Sequence, residues 1–91
     1  MESELENSVD SLIRVRGVIG VLCVNDEGLA LAVEGSASEV HAGIISGIAQ
    51  EAEKLYPDID ESPVIVLESD TCNLLIRSYE NATTGIYKVP S

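Results

Sequence analysis

A continuous apolar run, VIGVLCV, occupies residues 18–24, and the polar sequence NDEG follows it at residues 25–28. The run has the length of a strand and no polar alternation, so it predicts a strand that is buried on both faces. Asn, Asp and Gly are typical turn residues. Residues 29–33 are again strand-like, which predicts a hairpin. Because Ala30 and Ala32 alternate with larger apolar residues, the second strand is expected to carry its small residues on one side.

A helix is predicted on each side of this hairpin. Residues 1–16 carry apolar side chains at helical spacing and begin with a capping-box pattern at Ser3 and Glu6. Gly17 is a natural end for this helix. Residues 39–55 contain the clearest helical pattern in the chain.

The second predicted helix has two distinct halves. Ser36 or Ser38 is its expected N-cap, because a serine hydroxyl can accept a hydrogen bond from a free backbone N–H of the first turn. Its apolar half is predicted to be buried and comprises Val40, His41, Ile44, Ile45, Ile48, Ala49, Ala52 and Leu55. Its polar half comprises Glu39, Ser46, Gln50 and Glu53.

The remaining chain predicts three more strands after an acidic, proline-containing loop at residues 56–63. These strands are expected at residues 64–68, 74–79 and 86–89, with turns at residues 70–73 and 81–84. The order α-β-β-α-β-β-β predicts an α+β fold with a five-stranded, mostly antiparallel sheet, helices on its faces and no C-terminal helix. One domain is expected over residues 1–91.

The charge of the chain is strongly acidic, with 16 Asp and Glu against 5 Lys and Arg and a formal net charge of −11. Such a chain is repelled by nucleic-acid phosphates and anionic membranes, so neither is an expected partner. A basic protein surface is the natural complement. The apolar runs are far shorter than the roughly 20 residues that span a bilayer. Any attachment to a membrane is therefore expected to depend on other proteins.

Residues with catalytic chemistry are few. His41 is the single histidine, and its place on the apolar half of a helix favours a structural role. Cys23 lies inside the most apolar strand, where burial would blunt its reactivity. Cys72 lies in a predicted turn, which favours an incidental surface thiol, with sensitivity to oxidation as the alternative.

The acidic residues Asp58, Asp60 and Glu61 resemble a loose cation site. Their spacing lacks the glycine and the distal glutamate of a calcium loop, so a solvated acidic loop is favoured. The sequence therefore predicts no catalytic, metal or cofactor site, and the chain is not expected to be an enzyme.

Two features predict a protein-interaction surface. Gly43 and Gly47 lie one turn apart in the second helix, where each glycine costs about 0.5–1 kcal/mol relative to alanine. Close approach of another helix would explain them, and so would close packing within the domain or simple sequence drift. Residues 64–67 are apolar on both faces, and at a sheet edge their free backbone groups would pair with another strand. A dimer that joins these edges and packs the second helices together would cover both features.

The sequence resembles a known family through five collinear segments. These are Gly20-Val21-Leu22-Cys23, Glu27-Gly28-Leu29, His41-Ala42-Gly43-Ile44-Ile45-Ser46, Ala49-Gln50 and Leu67-Glu68-Ser69-Asp70. They are similar to the hepatitis B X-interacting protein family, the fifth subunit of the late-endosomal and lysosomal adaptor Ragulator. The similarity runs from about Gly17 to Ser91 and contains no catalytic motif.

The resemblance implies a roadblock fold in which two domains pair through the second helix and the third strand. It also implies a heterodimer with a second small roadblock subunit, wrapped by a lipid-anchored subunit at the cytosolic face of lysosomes. The assembly would recruit Rag GTPases and support amino-acid signalling to the target-of-rapamycin kinase. By position, the implied pairing surface comprises Gly43, Ser46, Gly47, Gln50, Val64, Val66 and Glu68.

Two other functions stay open from the sequence. One is a homodimeric roadblock-type adaptor of another pathway, either dynein-associated or a regulator of small GTPases. The other is a direct GTPase regulator with an arginine finger, for which Arg14, Arg16 and Arg77 are the candidates. Their predicted places, at a helix end and in a strand, disfavour this role. Self-pairing of the isolated chain also stays open, because like folds offer like edges.

Overall fold

A computed structural model describes residues 9–58, 62–79 and 81–90 of the chain. Residues 9–13 are helical (α1), and the main helix α2 spans Ala42–Glu53 after a 3₁₀ turn at Glu39–His41. The strands are β1 Val18–Asn25, β2 Ala30–Gly35, β3 Ile65–Glu68, β4 Asn73–Tyr79 and β5 Ala82–Lys88. The predicted capping box at residues 3 and 6 lies outside the described residues. The described part of α1 ends at residue 13, earlier than the predicted residue 16.

The five strands form one sheet in the order β2-β1-β5-β4-β3, and all neighbouring strands are antiparallel. This confirms the predicted α+β class and the five-stranded sheet. Strand β5 is central, whereas β2 and β3 form the two edges. The position of β3 at an edge is the arrangement that its two apolar faces suggested.

Strand β1 is buried on both faces, as its sequence predicts. Leu22 and Val24 pack on the side of the sheet that α2 covers, and Val21 and Cys23 pack on the side of α1. All of these side chains are at most 3% exposed. The Asn25 side chain accepts hydrogen bonds from the Glu27 and Leu29 N–H groups at 3.0 and 2.9 Å and so organises the predicted hairpin turn.

The prediction that β2 keeps its small residues on one side is wrong. Cys23 pairs with Ala32, but Val24 pairs with Ala30, so a β-bulge places Leu31 as an extra residue in β2. A bulge reverses the facing of the residues beyond it. Ala30 therefore packs on the α2 side of the sheet and Ala32 on the α1 side.

The last strand begins at Ala82 rather than at Ile86, so the turn predicted at residues 81–84 is also wrong. Tyr79 pairs with Ala82, which leaves a short connection between β4 and β5. The side-chain hydroxyls of Ser78 and Thr83 lie 2.8 Å apart and hydrogen-bond across the two strands. Thr83 can therefore belong to β5 although it is a polar residue typical of turns, because its hydroxyl has a hydrogen-bond partner on β4.

Ser38 caps the 3₁₀ turn at Glu39–His41, where its hydroxyl accepts from the Val40 N–H at 3.4 Å. His41 is the N-cap of α2 and makes no side-chain capping hydrogen bond with this helix. The buried residues of α2 are Ala42, Ile45, Ser46 and Ala49. Ile45 lies directly over Gly85 of β5, where an added Cβ would come within 2.9 Å of the Ile45 Cδ1 atom. The absence of a side chain at Gly85 therefore lets the helix pack closely on the sheet.

The predicted apolar half of α2 is only partly buried. Val40, Ile44 and Leu55 are 76%, 60% and 75% exposed, whereas Ser46 of the predicted polar half is 3% exposed. The sheet buries a stripe of α2 that is narrower than the predicted apolar half. This stripe is centred closer to Ser46 than the apolar half is. Apolar residues at the margin of that half are consequently left uncovered in the single chain.

Replacing Ile45 by alanine should lower the free energy of unfolding by about 2–5 kcal/mol, because it opens a cavity between α2 and β5. The neighbouring substitution Ile44→Ala should change stability by no more than about 0.5 kcal/mol, since this side chain is exposed. Urea unfolding followed by circular dichroism measures both. Equal losses for the two variants would contradict the described seating of α2.

Candidate protein-interaction surface

One flank of α2 lies beside the turn between β1 and β2. The Gln50 side-chain amide donates to the Asp26 carbonyl oxygen at 3.1 Å and to the Ser46 hydroxyl at 3.2 Å. A Cβ placed on Gly28 would lie 3.5 Å from the Gly43 Cα atom. Gly43, Gln50 and the intervening Gly47 share this flank because they recur at helical spacing.

Both glycines of this flank face open space. A Cβ added at Gly43 or at Gly47 would have no neighbouring atom within 4 Å among the described residues. Close packing within the described part of the chain therefore does not explain the two glycines. Approach by a partner and simple sequence drift are the explanations that remain.

The opposite flank of α2 faces the β4 and β3 side of the sheet. His41 begins this flank, and its Nδ1 atom lies 2.9 Å from the hydroxyl of Tyr87 in β5, with the two rings stacked at 6.0 Å. This hydrogen bond supports the structural role predicted for His41. Ile44 and Leu55 follow on the same flank and leave apolar surface exposed.

Strand β3 pairs with β4 on one side only, and no described residue pairs with its other side. Ile65 packs against the core beneath α2, and Leu67, two residues on, has the same facing and is 44% exposed. Val66 and Glu68 point to the opposite face of the sheet, and Val66 is 51% exposed. Leu67 thus lies beside the free backbone edge on the face of the sheet that carries α2.

These groups define a candidate surface, called here the α2/β3 surface: Ile44 of α2, Leu55 in the turn just after α2, Leu67 of β3, and the free edge of β3. It has the features that sheet extension requires, because backbone groups can pair along the edge while apolar side chains pack above it. The arrangement is suited to binding rather than to chemistry.

The seven residues implied by the resemblance fall into different places. Gly43, Gly47 and Gln50 lie on the flank beside the β1–β2 turn, and Val64, Val66 and Glu68 lie along the exposed β3 edge. Ser46 is the correction: it is buried within the chain and hydrogen-bonded to Gln50, so it is not free to meet a partner.

Sequence reasoning missed Ile44, Leu55 and Leu67 as surface residues. Ile44 and Leu55 were assigned to the buried half of the helix, although an apolar half-wheel is wider than the stripe of about 100° that usually faces a core. That excess width was the available signal. For Leu67 the signal was the apolar strand at residues 64–67, whose position at the sheet edge leaves this side chain exposed.

A second exposed apolar region lies on the α1 side of the sheet. It is an open groove of about 320 Å³ whose lining includes Leu12, Val64, Leu75, Tyr79 and Ile86. Arg77, one of the arginine-finger candidates, is the charged residue in this lining. Arg77 belongs to β4 and lines the groove from that strand.

The cysteines offer little chemistry in the folded chain. Cys23 is 3% exposed, and burial raises the pKa of its thiol, which opposes formation of the reactive thiolate. Cys72 is half-buried against the core, and its thiol lies 3.5 Å from the Asn73 carbonyl oxygen, so the predicted surface thiol is wrong. The turn folds back through the Ser69 side chain, which accepts from the Cys72 N–H at 3.0 Å and thereby pulls Cys72 inward.

The candidate cation site is tested only in part. Asp58 is exposed, whereas residues 60 and 61 lie outside the described residues. Among the described residues, no group of three or more His, Cys, Asp or Glu side chains could hold a metal ion. Within the same ranges, no helix is long and apolar enough to cross a membrane.

Solved structures identify the fold class. The chain superimposes on a roadblock/LC7 domain from Streptomyces avermitilis with a TM-score of 0.74 and 18% identity, covering 89% of this chain and 74% of that one. It superimposes on Myxococcus xanthus MglB with a TM-score of 0.82 and 15% identity, covering 97% of this chain and 71% of that one. The chain therefore has the roadblock-type fold.

Sequence comparison gives the family. Residues 1–88 match the family described as "Ragulator complex protein LAMTOR5". A LAMTOR5 homolog from Nematostella vectensis is 48% identical, and the Xenopus tropicalis protein is 38% identical, each over 91 residues and the full length of both chains. The chain belongs to the LAMTOR5 family of Ragulator complex proteins, which confirms the resemblance.

The substitutions Gly43→Ala and Gly47→Ala should each raise the free energy of unfolding of the isolated chain by about 0.5–1 kcal/mol, because alanine favours the helix and meets no neighbour. Gly85→Ala is the matched control and should lower stability, since its methyl group would meet Ile45. Urea unfolding measures all three. A loss of stability at Gly43 or Gly47 would show that those positions are packed within the chain.

Cys23 should react with a thiol reagent only as fast as the chain opens, measured in a Cys72→Ala variant that leaves one thiol. Because the folded chain raises the pKa of Cys23, its contribution to stability is complete below the unfolded thiol pKa of about 8.5 and is lost as the pH rises above it. Urea unfolding across this range checks the direction, and Cys23→Ala should reduce the decline. Rapid labelling of the folded chain would contradict the burial of Cys23.

Proposed function

We propose that this protein is a non-catalytic scaffold subunit of a Ragulator-type complex. It pairs with a second small roadblock subunit through the α2/β3 surface. A lipid-anchored subunit wraps the pair and holds it at the cytosolic face of lysosomes. The assembled complex recruits Rag GTPases and takes part in amino-acid signalling to the target-of-rapamycin kinase.

The observation that carries this proposal is the uncovered α2/β3 surface. Ile44 and Leu55 expose 60% and 75% of their area beside a strand edge with no described partner. An exposed apolar edge strand invites uncontrolled pairing unless another chain covers it. A second roadblock domain supplies both the strand that completes the edge and the helix that covers the flank.

The charge of the chain favours a heteromeric assembly over large homomeric ones. Copies that each carry a formal charge of −11 repel one another, whereas a basic subunit is attracted. Glu68 lies on β3 itself and adds an exposed carboxylate to the pairing edge of every copy. A basic residue on the partner's edge would relieve this repulsion.

The groove on the α1 side supports the wrapped arrangement. Its apolar lining gives a second subunit a place to bind that does not overlap α2, on the other face of the same sheet. An anchored subunit bound there would hold the pair at a membrane. The described residues themselves contain no spanning helix.

The proposed lack of catalysis is supported by the surroundings of His41 and Cys23. The Nδ1 atom of the exposed His41 is hydrogen-bonded to Tyr87, and Cys23 is buried with a raised thiol pKa, which disfavours both as catalytic groups. The side chains that are presented at the α2/β3 surface are aliphatic. This distribution favours a binding role for the family fold.

The substitution Leu67→Asp should weaken binding to the second roadblock subunit at least about tenfold, because a carboxylate would be buried on the pairing edge. Val33→Asp, on the opposite edge strand and similarly exposed, is the matched control and should bind normally. Light scattering gives the stoichiometry, and titration calorimetry gives the affinity. Unfolding curves for both variants check that the fold is kept.

The same measurements separate the proposal from its main alternative. A one-to-one complex that replaces the isolated chain supports the scaffold proposal. A stable homodimer that is indifferent to the second subunit would instead favour a homodimeric adaptor of another pathway. Equal affinities for the Leu67→Asp and Val33→Asp variants would contradict pairing at the β3 edge.

A further inference from the structure

The loop between α2 and β3 contains a sequence that the scaffold function does not use. Ser62 is followed by Pro63, and this is the one place in the 91-residue sequence where a serine or threonine precedes a proline. Residues 62–64 belong to neither helix nor strand, and Ile65 then begins the edge strand. Ser62 and Pro63 are half-buried, and Val64 is 56% exposed.

We infer that Ser62 is a phosphorylation site for a proline-directed protein kinase, and that its phosphate detaches the 62–64 segment from the end of α2. The inference adds a regulatory site to the proposed scaffold. It rests on the proposed function only in its last step, the effect on partner binding.

The backbone around Ser62 suits such a kinase. A residue before proline is confined to extended conformations, which is the form in which kinase clefts bind their substrates. Pro63 also has no N–H group, so a cleft specific for proline leaves no donor unsatisfied at that position. The described segment forms no strand pairing, and it can therefore leave the protein surface without breaking the sheet.

The reaction itself is an ordinary phosphoryl transfer. The Ser62 Oγ atom bonds to the γ-phosphorus of Mg-ATP, the bond to the β–γ bridging oxygen breaks, and ADP leaves. The hydroxyl proton passes to the catalytic aspartate of the kinase. The kinase and Mg-ATP supply every group that the step requires.

One contact explains why the phosphate would change the structure. The Ser62 hydroxyl donates a hydrogen bond to the Glu53 carboxylate at 3.3 Å. A phosphate has no such proton to donate and carries about −1.5 to −2 charges, so the attraction becomes a repulsion. Glu53 is also the last residue of α2, where the helix dipole disfavours a second negative group.

The nearby cation does not offset this repulsion. Lys54 follows Glu53, but its ammonium group is 3.1 Å from the Glu51 carboxylate in an exposed ion pair. Asp58 adds a further acid earlier in the loop. The phosphate would therefore move away from the end of α2 and displace the segment that leads into β3.

The test begins with the full chain, a proline-directed kinase and Mg-ATP. We expect one phosphoryl group per chain, located at Ser62 by peptide fragmentation. Pro63→Ala keeps the hydroxyl but should slow the transfer at least about tenfold, because it restores an N–H group at the position specific for proline. Ser38 and Ser69, which precede acidic residues, are internal controls and should stay unmodified.

Two outcomes of this step would overturn the inference. One is the absence of transfer to Ser62 while a reference Ser-Pro peptide in the same tube is fully phosphorylated. The other is equal transfer to the Pro63→Ala chain, which would show that the proline plays no part.

The second measurement is an amide NMR spectrum of the phosphorylated chain without any partner. The amide signals of Glu53, Lys54, Ser62, Val64 and Ile65 should shift, whereas those of β1 should not. A shift confined to Ser62 would overturn the detachment. This readout does not depend on the proposed scaffold function.

The last measurement is the affinity of the phosphorylated chain for the second roadblock subunit. It should fall at least about tenfold, because the segment before the pairing edge is displaced. Unchanged affinity would overturn the regulatory step. If neither form binds that subunit, the proposed function fails, while the kinase and NMR results decide the modification separately.

Discussion

The contact between Ile45 and Gly85 determines how α2 lies on the sheet. Gly85 is in the central strand, and the space left by its missing side chain receives the end of Ile45. Ala42, Ser46 and Ala49 are small residues around the same contact, so the helix backbone packs close to the strands. A buried isoleucine makes many weak dispersion contacts, and together with burial from water these stabilise this position of the helix.

The exposed surface follows from this position. A helix packed along that stripe covers β1, β5 and β4 but leaves the outer flank with Ile44 and Leu55 uncovered. Helix α2 does not cover all of strand β3, and Leu67 is exposed on the helix side of the sheet. A small domain buries a limited fraction of its surface, and part of the apolar surface that this one leaves exposed lies at the α2/β3 surface, where a second domain can use it.

Much of the fold was predictable because the sequence contains clear hydrophobic and turn patterns. The unbroken run at residues 18–24 predicted a strand buried on both faces, and the turn after it followed from Asn25 and Gly28. The β2 bulge was not predictable, since a single extra residue leaves the alternation of Ala30 and Ala32 intact in the sequence. The early start of β5 was hidden because Thr83 and Thr84 resemble turn residues until Ser78 is placed opposite them.

The candidate surface was predictable in its location but not in its residues. The apolar strand at residues 65–68 and the glycine pair both pointed to α2 and β3. Which side of the helix stays free depends on how the helix rotates against the sheet, and that rotation depends on packing at Gly85. The assignment of Ser46 therefore failed, and Ile44 and Leu55 were found only once the helix position was known. The family resemblance ranked the functions, but it carried no information about this rotation.

The most direct test of the account is amide hydrogen exchange of the chain with and without the second roadblock subunit. Pairing at the α2/β3 surface predicts that amides in Ile65–Glu68 exchange at least about tenfold more slowly in the complex, because a new strand protects them. Amides in Ala30–Gly35, at the other edge, should be unaffected. Protection of β2 with no change in β3 would contradict the account, since it would place the partner on the opposite edge of the sheet.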